Sequence, residues 1–344
     1  MGTSEEAGAL EAERGARNGT LRNAHPIVKE LLSGGTAGAC AKTAVAPLER
    51  VKIIIQTSGV SHSGRPMEPA SIGRVLRSIV HSEGVRGLWK GNGASVLRVV
   101  PYAALHFSAY ERYRSWLLGL GYLGKTPVVD LVAGSAAGAT AVAFTYPLDL
   151  LRTRLAWRTS AVVASSSGGR HHHHRATMAS VLAQLARKEG IPGLYKGVLP
   201  TLLGIFPYAG LKFFVYQYLK GVYMEGGRAK EGTTGEEKVE GERFVSTPMK
   251  LVFGASAGLV AQTITYPLDV VRRRMQVQDL ASGDPSGKIR SSLQGLGLIY
   301  RTLGVRKGLY AGLSLNYLKV VPSTAIGFAV YDTAKEYLGH RTSI

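Results

Sequence analysis

The stretch Pro47-Leu48-Glu49-Arg50-Val51-Lys52 returns as Pro147-Leu148-Asp149-Leu150-Leu151-Arg152 and again as Pro267-Leu268-Asp269-Val270-Val271-Arg272. Each copy reads proline, one residue, an acid, two residues, a base. The copies lie 100 and 120 residues apart. Such self-similarity is read before any local pattern, because it sets the architecture of the whole chain.

Other elements recur in step with it. Upstream, Gly34 and Gly38, Gly134 and Gly138, and Gly254 and Gly258 form three GxxxG pairs, each opening 13 residues before its proline. One such pair means little; three in register describe helix faces built for close approach. Downstream, Glu83-Gly84 leads to Trp89-Lys90-Gly91, and Glu189-Gly190 leads to Tyr195-Lys196-Gly197. The third copy is eroded: Gly304 leads to Tyr310-Ala311-Gly312, without the acid and the base. Pro101, Pro207 and Pro322 each follow the last glycine by 10 residues. Then come Tyr110-Glu111 with Arg114, Tyr216-Gln217 with Lys220, and Tyr331-Asp332 with Lys335. These offsets divide the chain into repeats over 27–124, 126–224 and 246–340, a disordered tail over 1–26 and a flexible linker over 225–245.

Each repeat holds two long helical stretches with a proline at the same place in all six. About 20 residues cross a bilayer. A soluble helical repeat explains the period but not the recurring mid-helix prolines, which membrane bundles tolerate as bends. The expected fold is an all-α membrane protein with six transmembrane helices and both termini on one side. Between the two spans of each repeat lies a short amphipathic segment, such as 72–81, suited to the membrane surface. The aromatic-base-glycine elements that follow (Trp89, Lys90 and Gly91; Tyr195, Lys196 and Gly197; Tyr310 and Gly312) suit helix N-termini that bind anionic lipid phosphate, with cardiolipin expected.

The 344 residues carry a formal charge of +19, which fits a nucleic acid, an anionic membrane surface or an anionic substrate. The bases are spread along the repeats rather than clustered with aromatics, which argues against nucleic acid. Cys40, the single cysteine, excludes an internal disulfide framework. The acidic N-terminal stretch has no apolar core and reads as neither a secretory signal nor a transit peptide. No Walker A loop, GxSxG elbow or metal-spaced cluster points to an enzyme, a metal or a cofactor. The run His171 to His174 reads as low-complexity filler.

The three Pro-x-acid motifs together with EGVRGLWKG (83–91) and EGIPGLYKG (189–197) resemble the signature of the mitochondrial carrier family, over about nine-tenths of the chain. The resemblance implies a six-helix barrel with pseudo-threefold symmetry in the mitochondrial inner membrane. It would act as a monomer, opening a central cavity to either side in turn. It also implies a matrix gate of Glu49 with Arg152, Asp149 with Arg272, and Asp269 with Lys52. Gln56 and Gln276 match the family's glutamine braces, and Ala156 takes the third place. The opposite, cytoplasmic gate would pair Glu111 with Lys220, Gln217 with Lys335, and Asp332 with Arg114, with Gln217 limiting its pair to a hydrogen bond.

In this family the selecting residues precede the even-helix prolines by three, which here picks out Arg98, Gly204 and Lys319. Lys42 has Val142 and Gln262 at its symmetry-related places, so symmetry does not require it. Lys42, Arg98, Lys212 and Lys319, with a titratable His106, call for a polyanion such as a phosphate ester. Gly204 beside Ile205, with Tyr208 one turn on, suits a stacked purine. The stretches at 91–107, 204–214 and 316–328 are most similar to mitochondrial coenzyme A carriers, those of plants especially. The substrate expected from this resemblance is coenzyme A, exchanged for an adenine nucleotide. The alternative is an adenine nucleotide carrier of the ATP-Mg/phosphate or ADP/ATP kind.

Overall fold

The computed structural model describes residues 26–57, 71–120, 126–164, 178–231, 246–281 and 289–337, and these are helical throughout apart from short turns. Residues 1–25 of the expected tail, the His171 to His174 run and residues 232–245 of the expected linker lie outside the described residues, and Pro26 already belongs to the first helix.

The first repeat consists of α1 (Pro26–Thr57), α2 (Ile72–Glu83), a 3-10 turn over Val85–Trp89 and α3 (Asn92–Gly119). The second consists of α4 (Pro127–Ala164), α5 (Met178–Leu194), which bends at Gly190, and α6 (Val198–Glu231). The third holds α7 (Thr247–Ala281), α8 (Ser292–Gly304), a π turn over Val305–Leu309, α9 (Leu313–Leu318) and α10 (Val320–Tyr337). The backbone of α6 runs to Glu231, seven residues past the expected end of the repeat at 224. Five of the recurrent prolines sit inside continuous helices. At the sixth, the last span is interrupted at Lys319, where Pro322 offers no N–H to the carbonyl four residues back.

The repeats close into a ring. The second span of each packs against the first span of the next: α3 on α4, α6 on α7, and α10 back on α1. The three first spans α1, α4 and α7 also meet one another. Around that meeting point, each first span makes a small core with a short helix. Val51 and Ile55 pack with Val75 and Ile79; Leu151 packs with Val181 and Ala94; Val270 and Val271 pack with Ile299.

Six glycines in left-handed backbone hold this end together, two per repeat. The second of each pair abuts the base of the following repeat. A Cβ on Gly91 would lie 2.9 Å from the carbonyl oxygen of Arg152, and one on Gly197 would lie 3.1 Å from that of Arg272. Gly312 completes the circle more loosely, with a Cβ there 3.6 Å from the carbonyl oxygen of Lys52. Only a residue lacking a side chain fits such an approach with a positive φ. The GxxxG pairs are less uniform. Gly38 packs tightly on Val99, whereas nothing lies within 4 Å of a Cβ built on Gly254 or Gly258.

The outside of the bundle is apolar: Phe107, Phe144, Phe214 and Val321 are each at least 65% exposed. Among the described residues, four stretches, Pro127–Trp157, Val198–Met224, Met249–Gln278 and Ser292–Tyr337, are long and apolar enough to cross a membrane. α1 and α3, at 32 and 28 residues, also exceed the length required, but small and charged residues dilute them. Of those charges, Glu49, Arg50, Lys52 and Arg98 are paired within the bundle, which is where a membrane protein keeps them.

Candidate functional site

An acid and a base three residues apart share one face of a helix. Ring closure turns that face on each first span toward the next repeat. Arg152 donates to Glu49, Arg272 to Asp149 at 2.5 Å, and Lys52 to Asp269 at 3.0 Å. All three carboxylates thus bridge different repeats, and Glu49 and Asp149 are almost wholly buried.

Gln56 donates to Asp269 and to the hydroxyl of Tyr266, and Gln276 donates in the same way to Asp149 and Tyr146. Each tyrosine hydroxyl donates a hydrogen bond to a backbone carbonyl ahead of a left-handed glycine, Tyr146 to Lys196 and Tyr266 to Ala311. The corresponding pair at the Glu49–Arg152 link is Ala46 and Ala156, so that link has neither brace nor tyrosine. It has other partners instead. Lys319 reaches Glu49 at 3.1 Å and Lys42 reaches it at 3.9 Å. Arg98 reaches Asp149 at 3.0 Å and also donates to Thr145.

Three of the four cations expected to bind substrate therefore rest on ring carboxylates. With Arg273 donating to Asp149 as well, three acids face seven cations. Lys212 is exposed and has no ion-pair partner among the described residues. His106 lies beside Tyr102, and Ile205 packs in the cluster around Tyr146; both border Gly138. Gly204 faces Leu268, and Tyr208 is half-buried.

The opposite end is arranged differently. Among the described residues, Glu111 and Lys220, Gln217 and Lys335, and Asp332 and Arg114 do not pair. Arg114 donates to Asp130 at 2.6 Å, and Tyr110 shares that carboxylate. Lys335 lies over the ring of Tyr331. The aromatic-base-glycine elements are engaged within the protein. Trp89 donates to the Thr43 carbonyl, while Lys90 and Lys196 pair with Glu83 and Glu189. Tyr195 and Tyr310 stack on Tyr146 and Tyr266.

The sequence profile described as mitochondrial carrier protein matches this chain three times in succession, over residues 23–120, 124–227 and 244–342. The chain belongs to the mitochondrial carrier family. Among its relatives, the mitochondrial carrier protein CoAc1 of Zea mays is 48% identical, over 98% of this chain and 96% of its own length. The protein of the same name in Arabidopsis thaliana is 47% identical, over 91% and 90%. A mitochondrial coenzyme A transporter of Homo sapiens is 40% identical, over 94% and 92%.

Several residues of this carrier's charged ends escape a reading of the motifs alone. Arg154 grips both oxygens of Glu189, tying the second short helix to its span. Burial works against ionisation of that carboxyl, yet Arg154 and Lys196 hold it below the ordinary range for glutamate. In the first repeat the equivalent place is Ile54, and Arg50, one turn earlier on the same face, takes over by holding Glu83 and the Gly87 carbonyl. Asn316, fully buried, accepts from Lys52 at 3.0 Å. The tyrosine before Pro147 and Pro267 was a visible signal for the braces; nothing in the local sequence marks Asn316 or Asp130.

Proposed function

We propose that this carrier moves coenzyme A across the mitochondrial inner membrane into the matrix, in exchange for an adenine nucleotide, as a monomer working by alternating access. The observation that carries the reading is the surplus of cations over carboxylates on the inner faces of the spans. Unbalanced charge at membrane depth is costly and is kept for a ligand of opposite sign. Phosphate groups answer Arg98 by paired hydrogen bonds and Lys42 and Lys319 as point charges. Gly204, Ile205 and Tyr208 would offer the adenine ring a flat apolar wall, with Lys212 and His106 reaching the rest of the substrate. The human relative named as a coenzyme A transporter supports this choice of polyanion.

Glu49, Asp149 and Asp269, with Arg152, Arg272 and Lys52, act as the matrix gate in this reading, with Gln56 and Gln276 as its braces. Glu111, Arg114, Gln217, Lys220, Asp332 and Lys335 close the cytoplasmic end once the matrix gate has opened. A transporter that formed both sets at once would trap its substrate, so the engaged ring and the disengaged one belong to a cytoplasm-open state. Cardiolipin or another anionic lipid meets the backbone N–H groups where α3, α6 and α9 begin, since Lys90 and Lys196 are already paired.

Purified protein in liposomes loaded with ADP is expected to take up labelled coenzyme A. Uptake no greater than into empty liposomes, alongside rapid ATP exchange, would transfer the assignment to an adenine nucleotide carrier.

A further inference from the structure

The last span holds the first span at the interruption itself and again one turn ahead of it. Asn316 accepts from the Lys52 ammonium at 3.0 Å, and Lys319 donates to Glu49 at 3.1 Å. Glu49 and Lys52 are three residues apart on α1; Asn316 and Lys319 are three apart on the last span. The two spans run antiparallel, so the pairs meet in register. The other repeats lack this arrangement. Ser95 and Thr201 stand where Asn316 does; Ser95 is buried without a partner, and Thr201 bonds back to Gly197.

We infer that Asn316 is a positioning residue of the matrix gate, and that with Lys319 it forms a two-point clamp between the interrupted turn and the Glu49 and Lys52 sides of the ring. Its amide oxygen holds the Lys52 ammonium against Asp269, while the face of Tyr266 lies 5.1 Å from the same ammonium. Its amide nitrogen is buried without a partner, so the side chain sits there for its oxygen. A break in the helix ladder gives the turn freedom that an intact helix lacks. An anion that draws Lys319 off Glu49 therefore pulls on the segment that carries Asn316. One ligand contact reaches two of the three links of the ring through a single element. This inference rests on the gate reading above and adds a residue and a coupling to it.

A thiol placed by Ala156→Cys in a Cys40→Ala background reports on the gate, because Ala156 is 1% exposed one turn beyond Arg152. An impermeant maleimide is added from the cavity side without substrate, and the labelling rate is read. Asn316→Leu removes the acceptor at similar volume. A hydrogen bond to a charged group is worth about a tenfold factor or more, so labelling is expected to quicken by about tenfold. Asn316→Asp keeps an oxygen facing Lys52 and is expected to label no faster than the parent. Asp269→Asn serves as the control for the gate itself. Faster labelling in Asp269→Asn with parental labelling in Asn316→Leu overturns the clamp alone. Equal acceleration in Asn316→Leu and Asn316→Asp also overturns it, as loss of packing. Parental labelling in Asp269→Asn overturns the gate reading.

Discussion

Replacing Gln276 by alanine tests the ring at its best-defined brace. The amide nitrogen donates to Asp149 at 3.1 Å and to Tyr146 at 3.0 Å, and the amide oxygen accepts from Arg273 at 3.0 Å. None of these partners is stranded by the change. Asp149 keeps Arg98, Arg272 and Arg273. Tyr146 still donates to the Lys196 carbonyl, and Arg273 still donates to Thr153. The part of the loss that bears on the gate is the hydrogen bond to charged Asp149, about 1.5–3 kcal/mol, without the larger penalty of a buried orphan. That bond spans two repeats and is broken when the ring opens, so the closed state loses it and the open state does not. Where ring opening limits turnover, the lower figure corresponds to about a tenfold faster exchange, by the relation between barrier and rate. Initial rates in proteoliposomes give the exchange, and melting of the detergent-purified protein, expected to fall, gives the stability of the closed state. A folded Gln276→Ala protein that exchanges and melts like the parent would refute the assignment of Gln276 as a brace on a moving gate.

The converse change is Ala156→Gln, which adds a donor at the unbraced Glu49–Arg152 link; slower exchange with a raised melting temperature is expected in the same assays. Lys42→Ala and Arg98→Ala should each abolish exchange while leaving folded protein in the membrane, and full activity in both would end their phosphate-binding role. Arg50→Met leaves the buried Glu83 with Lys90 alone, so thermal unfolding should register a loss of about 3–5 kcal/mol, as for other broken buried pairs. Glu189 has a lowered folded pKa, so its contribution is present above the unfolded value of about 4.3 and vanishes as the pH falls through the folded one; the melting difference between parent and Glu189→Gln should therefore narrow in acid.

The partners of Glu49, Asp149 and Asp269 within the ring were named through the resemblance to the family, and two regularities explain why acids and bases of neighbouring repeats can meet at all. Three-residue spacing puts acid and base on one helix face, and a threefold repeat must close on itself. Wherever a contact obeys neither regularity, the linear pattern is silent. Arg50 does in the first repeat what Arg154 does in the second, although Ile54 stands at the equivalent place, because the same helix face recurs one turn earlier; this is visible only once Glu83 is seen beside it. Asp130 holds Arg114 because the α3–α4 interface brings them together, while the expected partner Asp332 lies on α10, which packs on α1. The paired cations of the opposite end depend on which conformation the bundle has adopted, and that is a property of the whole molecule rather than of any motif.

By itself the sequence determined that this chain is three copies of one helical unit, that those units form a membrane bundle, and that acids and bases recur where neighbouring units can meet. Local periodicity and repetition carry that information. Only the tertiary structure decided that Lys42, Arg98 and Lys319 share their carboxylates with the ring, that the Glu49 link lacks the support of the other two, and that Asn316 touches Lys52. Those contacts join residues as much as 270 positions apart, Lys319 to Glu49 among them, and their partners are chosen by the closure of the ring rather than by anything adjacent in the chain.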